Sequence, residues 1–155
     1  MILIENKEDK MLDFIGKKWA KNKDKLRERL ANTPQIGYDS YLKLLSIALD
    51  EIVNDGKVED WRGRKPLQTK DIVEINFGDY QGTQILVFHK NTYQPDASET
   101  YYTVVEYGSC SGCDTLLAIS EYEEGLPSEG QINDYMTLCL HMLQRIHQFD
   151  DGGDE

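Results

Sequence analysis

With 155 residues and a mass of 17.9 kDa, the chain has room for one ordinary globular domain and no second one. Its 39% hydrophobic, 10% aromatic and 29% charged residues exclude general disorder, and no apolar run approaches the ~20 residues a membrane span needs. The formal net charge of −11 is lopsided: residues 1 to 37 hold nine Lys/Arg against six Asp/Glu, residues 38 to 70 hold six of each, and residues 71 to 155 hold two against sixteen.

The acidic half, with Lys90 and Arg145 as its only basic residues, repels nucleic acid, anionic lipid and polyphosphates, so direct nucleic-acid binding there is disfavoured. Two readings of it stand side by side: a surface that keeps a small protein in solution, or one that imitates a nucleic-acid backbone and docks on a basic partner. The opening Met1-Ile2-Leu3-Ile4 is followed at once by Glu5, Lys7, Glu8, Asp9 and Lys10, which spoils a signal sequence and sets the expectation of a cytoplasmic protein with no membrane partner. Three cysteines at low density point to reduced thiols rather than a disulfide framework.

In chain order, Leu12, Ile15, Trp19, Leu26 and Leu30 recur as one stripe of a helix over about residues 6 to 31, and Asn32-Thr33-Pro34 ends it. Lys17, Lys21 and Lys25 form a second row, either a solvated face or a contact with acid. A second helix is expected from Asp39 or Ser40, burying Tyr41, Leu42, Leu45, Ala48, Leu49 and Ile52 and stopping at Asn54-Asp55-Gly56, a left-handed cap signal. Residues 57 to 70 read as a loop in which Arg62, Arg64 and Lys65 beside Trp61 could contact phosphate or RNA, or pair with the acidic half. Val73, Ile75 and Phe77 alternate with Glu74 and Asn76. Ile85 to Phe88 follow a glycine-bounded turn, and Tyr101 to Tyr107 alternate again, which predicts a three-stranded antiparallel meander. A short helix over about residues 114 to 122 precedes a longer one. Ser128 and Gln131 form its capping box, and Ile132, Tyr135, Met136, Cys139, Met142, Leu143, Ile146 and Phe149 are its buried stripe. The sum is a single α+β domain over residues 1 to 149, with two N-terminal helices, the meander and two C-terminal helices, followed by a disordered acidic tail at 150 to 155.

One motif carries potential chemistry, Gly108-Ser109-Cys110-Ser111-Gly112-Cys113-Asp114, placed where a strand gives way to a helix. A helix N-terminus there could acidify the first thiol of the Cys-x-x-Cys pair. A thioredoxin-like site would need parallel strands before the motif and a proline-bearing hairpin after it. Phosphatase or sulfurtransferase chemistry would need an arginine where Thr115, Leu116 and Leu117 stand. Cys110 and Cys113 could instead supply half of a zinc site, with His89, Cys139, His141 or His147 completing it. His141 and His147, six apart on one expected helix, do not share a face. The bland reading is a glycine-bearing turn with small packing residues. The histidines and serines offer no catalytic set, so an enzyme is not indicated. Glu121, Glu123, Glu124 and Glu129 cluster near one loop, and with Asp134 they are the candidate partner-binding carboxylates.

The run from Tyr101 to Ile119, distinctive at Gly-Ser-Cys-Ser-Gly-Cys-Asp, and the helix around Asn133-Asp134-Tyr135-Met136 resemble a stretch of small tailed-bacteriophage proteins. The likeness covers about a third of the chain and brings no catalytic residue with it. It implies a phage-encoded protein of the kind that binds and blocks a host factor. Together with the charge asymmetry and the lack of a catalytic set, the expectation is a protein that binds and modulates or inhibits a host protein, one that handles nucleic acid or serves defence, through its acidic surface and with no cofactor. Thiol-redox or zinc binding at Cys110 and Cys113 is the alternative.

Overall fold

In the computed structural model, the described residues are 7–35, 41–56, 67–78, 82–90, 95, 97–107, 115–120 and 124–149. The first helix, α1, runs from Lys7 to Ala31. Ile15, Leu26 and Leu30 are buried along its stripe with Trp19 packed against them, as the 3.6-residue period requires. Leu12 departs from expectation and is 46% exposed. It lies at the margin of the stripe, and in the first turns Met11 and Ile15 are the residues packed on the core. Asn22 occupies the same stripe and is fully buried, a polar position the apolar period passes over.

The second helix, α2, covers Tyr41–Ala48, and the chain then widens into a π-turn at Leu49–Val53 instead of continuing as α-helix. The Asn54 N–H accordingly reaches back five residues to the Leu49 carbonyl at 2.9 Å. Widening misaligns carbonyls with the helical ladder, and a buried carbonyl needs a donor from elsewhere. Asn22 Nδ2 of α1 donates to the Ile52 carbonyl at 2.9 Å. The turn ends as expected at Asp55 and Gly56, both left-handed with φ of 58° and 66°.

Strands β1 (Leu67–Gly78), β2 (Gly82–Lys90), β3 (Thr100–Tyr107) and β4 (His147–Gln148) form one antiparallel sheet in the order β1-β2-β3-β4. The α+β class holds, but the expected three strands are four. β1 also begins at Leu67, inside the stretch expected to be a loop. Asn54 explains that start: its Oδ1 accepts from the Leu67 N–H at 2.9 Å and its Nδ2 donates to the Leu67 carbonyl at 3.2 Å. A register shift between Gln68 and Val73 then marks a bulge.

Two further helices are α3 (Thr115–Ser120) and α4 (Glu129–Gln144). α4 ends before Ile146, and His147 lies on β4, not on the same helix as His141. Phe149, expected in the helix's buried stripe, stands beyond β4 and is 38% exposed. The helices cover one face of the sheet. Leu86 and Phe88 of β2 and Thr103 and Val105 of β3 are buried on that face, and the Thr103 hydroxyl donates to the Met142 carbonyl of α4 at 2.8 Å. No helix among the described residues is long and apolar enough to cross a membrane.

Candidate functional site

Between α3 and α4 the chain exposes Glu124, Gly125, Leu126, Ser128 and Glu129. Leu126 is 61% exposed. The segment is held from behind by a hydrogen-bond network. The Gln35 N–H, just past α1, donates to the Gly125 carbonyl at 2.7 Å, and Gly125 adopts φ 85°, which favours glycine. Ser128 caps α4: its Oγ accepts from the Gln131 N–H at 3.2 Å, and Gln131 Oε1 accepts from the Ser128 N–H at 2.9 Å, the reciprocal box expected from the sequence. Gln131 Nε2 also donates to the Ile119 carbonyl of α3 at 3.0 Å. Gln35 Nε2 donates to Gln131 Oε1 at 2.7 Å, and the Tyr135 hydroxyl donates to Gln35 Oε1 at 2.6 Å. A loop fixed to three helices presents its side chains with little ordering entropy left to lose on binding.

Glu124 and Glu129 therefore flank one rigid, exposed loop with Leu126 between them. Asp134 is exposed on α4, but five residues beyond Glu129 it lies about 140° around the helix and does not share that face. Leu126 is the residue that sequence reasoning missed; its only signal is a lone leucine between Gly125 and Pro127, outside any helical period. Glu121, Glu123, Arg62, Arg64, Lys65, Cys110 and Cys113 lie outside the described residues, as do the tail at 150 to 155 and the turn joining β1 to β2 at 79 to 81.

The electrostatics divide along the chain. The ion pairs among the described residues join Lys17 to Asp13, Lys18 and Lys21 to Asp55, and Arg29 to Asp50 and Glu51, all in the first 55 residues. Asp71, Glu74, Glu106, Glu124, Glu129 and Asp134 are exposed and form no ion pair with a described residue. The basic row Lys17, Lys21 and Lys25 is exposed, and its pairs stay within the N-terminal half.

Of the candidate zinc ligands, Cys139 is fully buried and burial pushes its thiol well up from its ordinary value, so it stays protonated as a small core residue. His141 is exposed on α4 and His147 lies against Tyr102 at 5.2 Å. The described residues hold no group of three or more His, Cys, Asp or Glu that could bind a metal ion.

Two cavities of about 550 and 540 Å³ are present. The first, between α1 and the sheet, is apolar through Met11, Phe14, Ile15, Phe88 and Tyr101, with Lys10, Lys18 and Lys90 at its edge. The second, between β3, α3 and α4, brings Glu106, Asp134, His141 and Arg145 together.

No protein-family model matches the chain, and no curated protein and no solved structure matches it.

Proposed function

We propose that this protein is a binding module that docks on a basic macromolecular partner through its C-terminal half, with Glu124, Leu126 and Glu129 at the centre of the contact. The observation that carries the reading is the loop: an exposed leucine between two exposed carboxylates that pair with no described cation, held from behind by Gln35, Ser128 and Gln131. An apolar centre within a polar rim is the common anatomy of a protein interface, and the acidic excess of residues 71 to 155 steers a basic partner towards it. The resemblance to small phage proteins makes a host protein that handles nucleic acid, or one that serves defence, the partner of choice, and inhibition by covering its basic groove the mode of action. Asp134, on another face of α4, and Glu121 and Glu123, outside the described residues, belong to the same acidic half of the chain.

Affinity capture from host lysate tests this with three baits: the native chain, a Glu124→Gln/Leu126→Ala/Glu129→Gln variant, and a Cys110→Ser/Cys113→Ser variant. A partner held at roughly 0.1 M salt by the native and cysteine variants is expected to be released at roughly 1 M, where the Debye length falls from about 10 to 3 Å. It is also expected to be lost from the loop variant. A partner retained equally by all three baits at high salt overturns the charge-led contact, and one lost only with the cysteines moves the site to Cys110 and Cys113.

A further inference from the structure

The sheet face turned away from the helices is apolar and uncovered by any described element. Strand pairing sets it out in rows: Val73, Val87, Tyr102 and His147; then Ile75, Ile85 and Val104; then Phe77, Thr83 and Glu106. The alternating residues Leu86, Phe88, Thr103 and Val105 are the buried ones, so these rows must point the other way. Val73, Ile75 and Phe77 are 54%, 41% and 57% exposed. Tyr102 extends the patch by packing on His147 at 5.2 Å and on Phe149 at 4.9 Å. On β1, Glu74 and Asn76 hold the register of the helix-facing Leu86 and Gln84, the reverse of what an isolated amphipathic strand would choose. A contiguous apolar patch of this kind on a soluble surface marks an interface.

We infer that a second copy of this chain covers the face, the two sheets packing face to face about a twofold axis. Polar complementarity selects this occupant. In the paired rows the ionisable side chains stand at the ends of the face, the imidazoles of His89 and His147 at one and the Glu106 carboxylate at the other. A twofold axis parallel to the sheets, midway between them and crossing the strands at the Ile75–Ile85–Val104 row, brings the histidine end of each copy over the Glu106 end of the other. The face is thus complementary to itself, as an isologous contact demands. Elsewhere two chains of net charge −11 repel, so this apolar face is where a second copy approaches at least cost. A basic partner, by contrast, finds no carboxylate among the central rows. Packing uses the whole face of each copy, so assembly closes at two, with sheets roughly 10 Å apart.

Sedimentation velocity on the full chain across micromolar concentrations tests the inference. The expected result is a reversible species of twice the 17.9 kDa chain mass, converted to monomer by Val73→Lys/Phe77→Lys with an unchanged far-ultraviolet spectrum. The milder Phe77→Ser, at an already exposed position, is expected to weaken dimerisation at least about tenfold, which keeps the test decisive should the double variant fail to fold. Phe77→Leu should retain the dimer. A native chain that stays monomeric overturns the inference. So does a dimer that survives both charged and serine variants, which would place the contact elsewhere, such as along the outer edge of β1.

Discussion

Asp55 carries more of the molecule's electrostatic stability than its place in a turn suggests. Its carboxylate accepts from Lys18 Nζ and Asn22 Nδ2, each at 2.8 Å, and lies 3.5 Å from Lys21 Nζ. These hydrogen bonds and nearby charges outweigh burial and hold the carboxyl well below its ordinary range. In the unfolded chain the group titrates near about 3.9. Because the folded value is the lower one, the stabilisation is complete above that point and is lost as pH falls below it. Asp55→Asn keeps a residue that tolerates the left-handed backbone, so it removes charge alone. We expect it to cost about 1–3 kcal/mol at neutral pH, with the gap from the native chain closing below roughly pH 4. Urea unfolding at both pH values checks this, and a gap independent of pH would show that the loss is one of shape. Gly82 is constrained differently: a Cβ there would lie 1.9 Å from the Phe77 carbonyl oxygen. Gly82→Ala must therefore force β1 and β2 apart at the hairpin end, with an expected loss of about 1–3 kcal/mol and weakened amide protection from Ile75 to Ile85.

At the scale of elements, the joint between the π-turn and β1 depends on one side chain. Asn54 satisfies both backbone groups of Leu67 in a buried setting. Asn54→Leu keeps the volume and orphans them, at about 1–3 kcal/mol for each group left unpartnered. Denaturant midpoints measure that loss, and a change under roughly 0.5 kcal/mol would mean that water takes over the role. This joint also shows where sequence patterns stop being legible. The α4 cap could be read because Ser128 and Gln131 are three residues apart and bond to each other; the α1 stripe could be read because its period is local. The π-turn could not, since its free carbonyl is served by Asn22, thirty residues earlier. β4 is two residues long, too short to have a period. Alternation in β1 correctly announced a strand with one apolar face, but pairing with β2 past the bulge decided which face meets the helices, and it turned Val73, Ile75 and Phe77 outward. The candidate site divides the same way: Glu124 and Glu129 are legible as charge, whereas the exposure of Leu126 depends on Gln35 holding Gly125 from the far side of the fold.

For the whole molecule, two electrostatic effects oppose each other and their sizes decide how salt acts. Screening weakens the exposed pairs Lys17–Asp13 and Arg29–Glu51, but such pairs contribute only about 0–1 kcal/mol each, and the half-buried Lys18–Asp55 pair is screened less. Screening also relieves the mutual repulsion of an excess of eleven negative charges, concentrated where the carboxylates of residues 71 to 155 have almost no cations among them. Many small repulsions exceed the few weak attractions of the described ion pairs, so added sodium chloride is expected to stabilise the protein. Between roughly 0.02 and 0.3 M, where the Debye length falls to well under 10 Å, the melting temperature should rise by about 2–5 °C, equivalent to roughly 1 kcal/mol for a domain of this size. Dimerisation would produce a rise of the same sign by bringing two acidic chains together. The Phe77→Ser variant, studied at concentrations below its weakened self-association, separates the two sources: repulsion within one chain predicts that the rise persists in this variant and does not depend on protein concentration. A rise confined to the native chain would assign the salt effect to the proposed interface. A fall in both proteins would mean that the N-terminal ion pairs outweigh the charge excess.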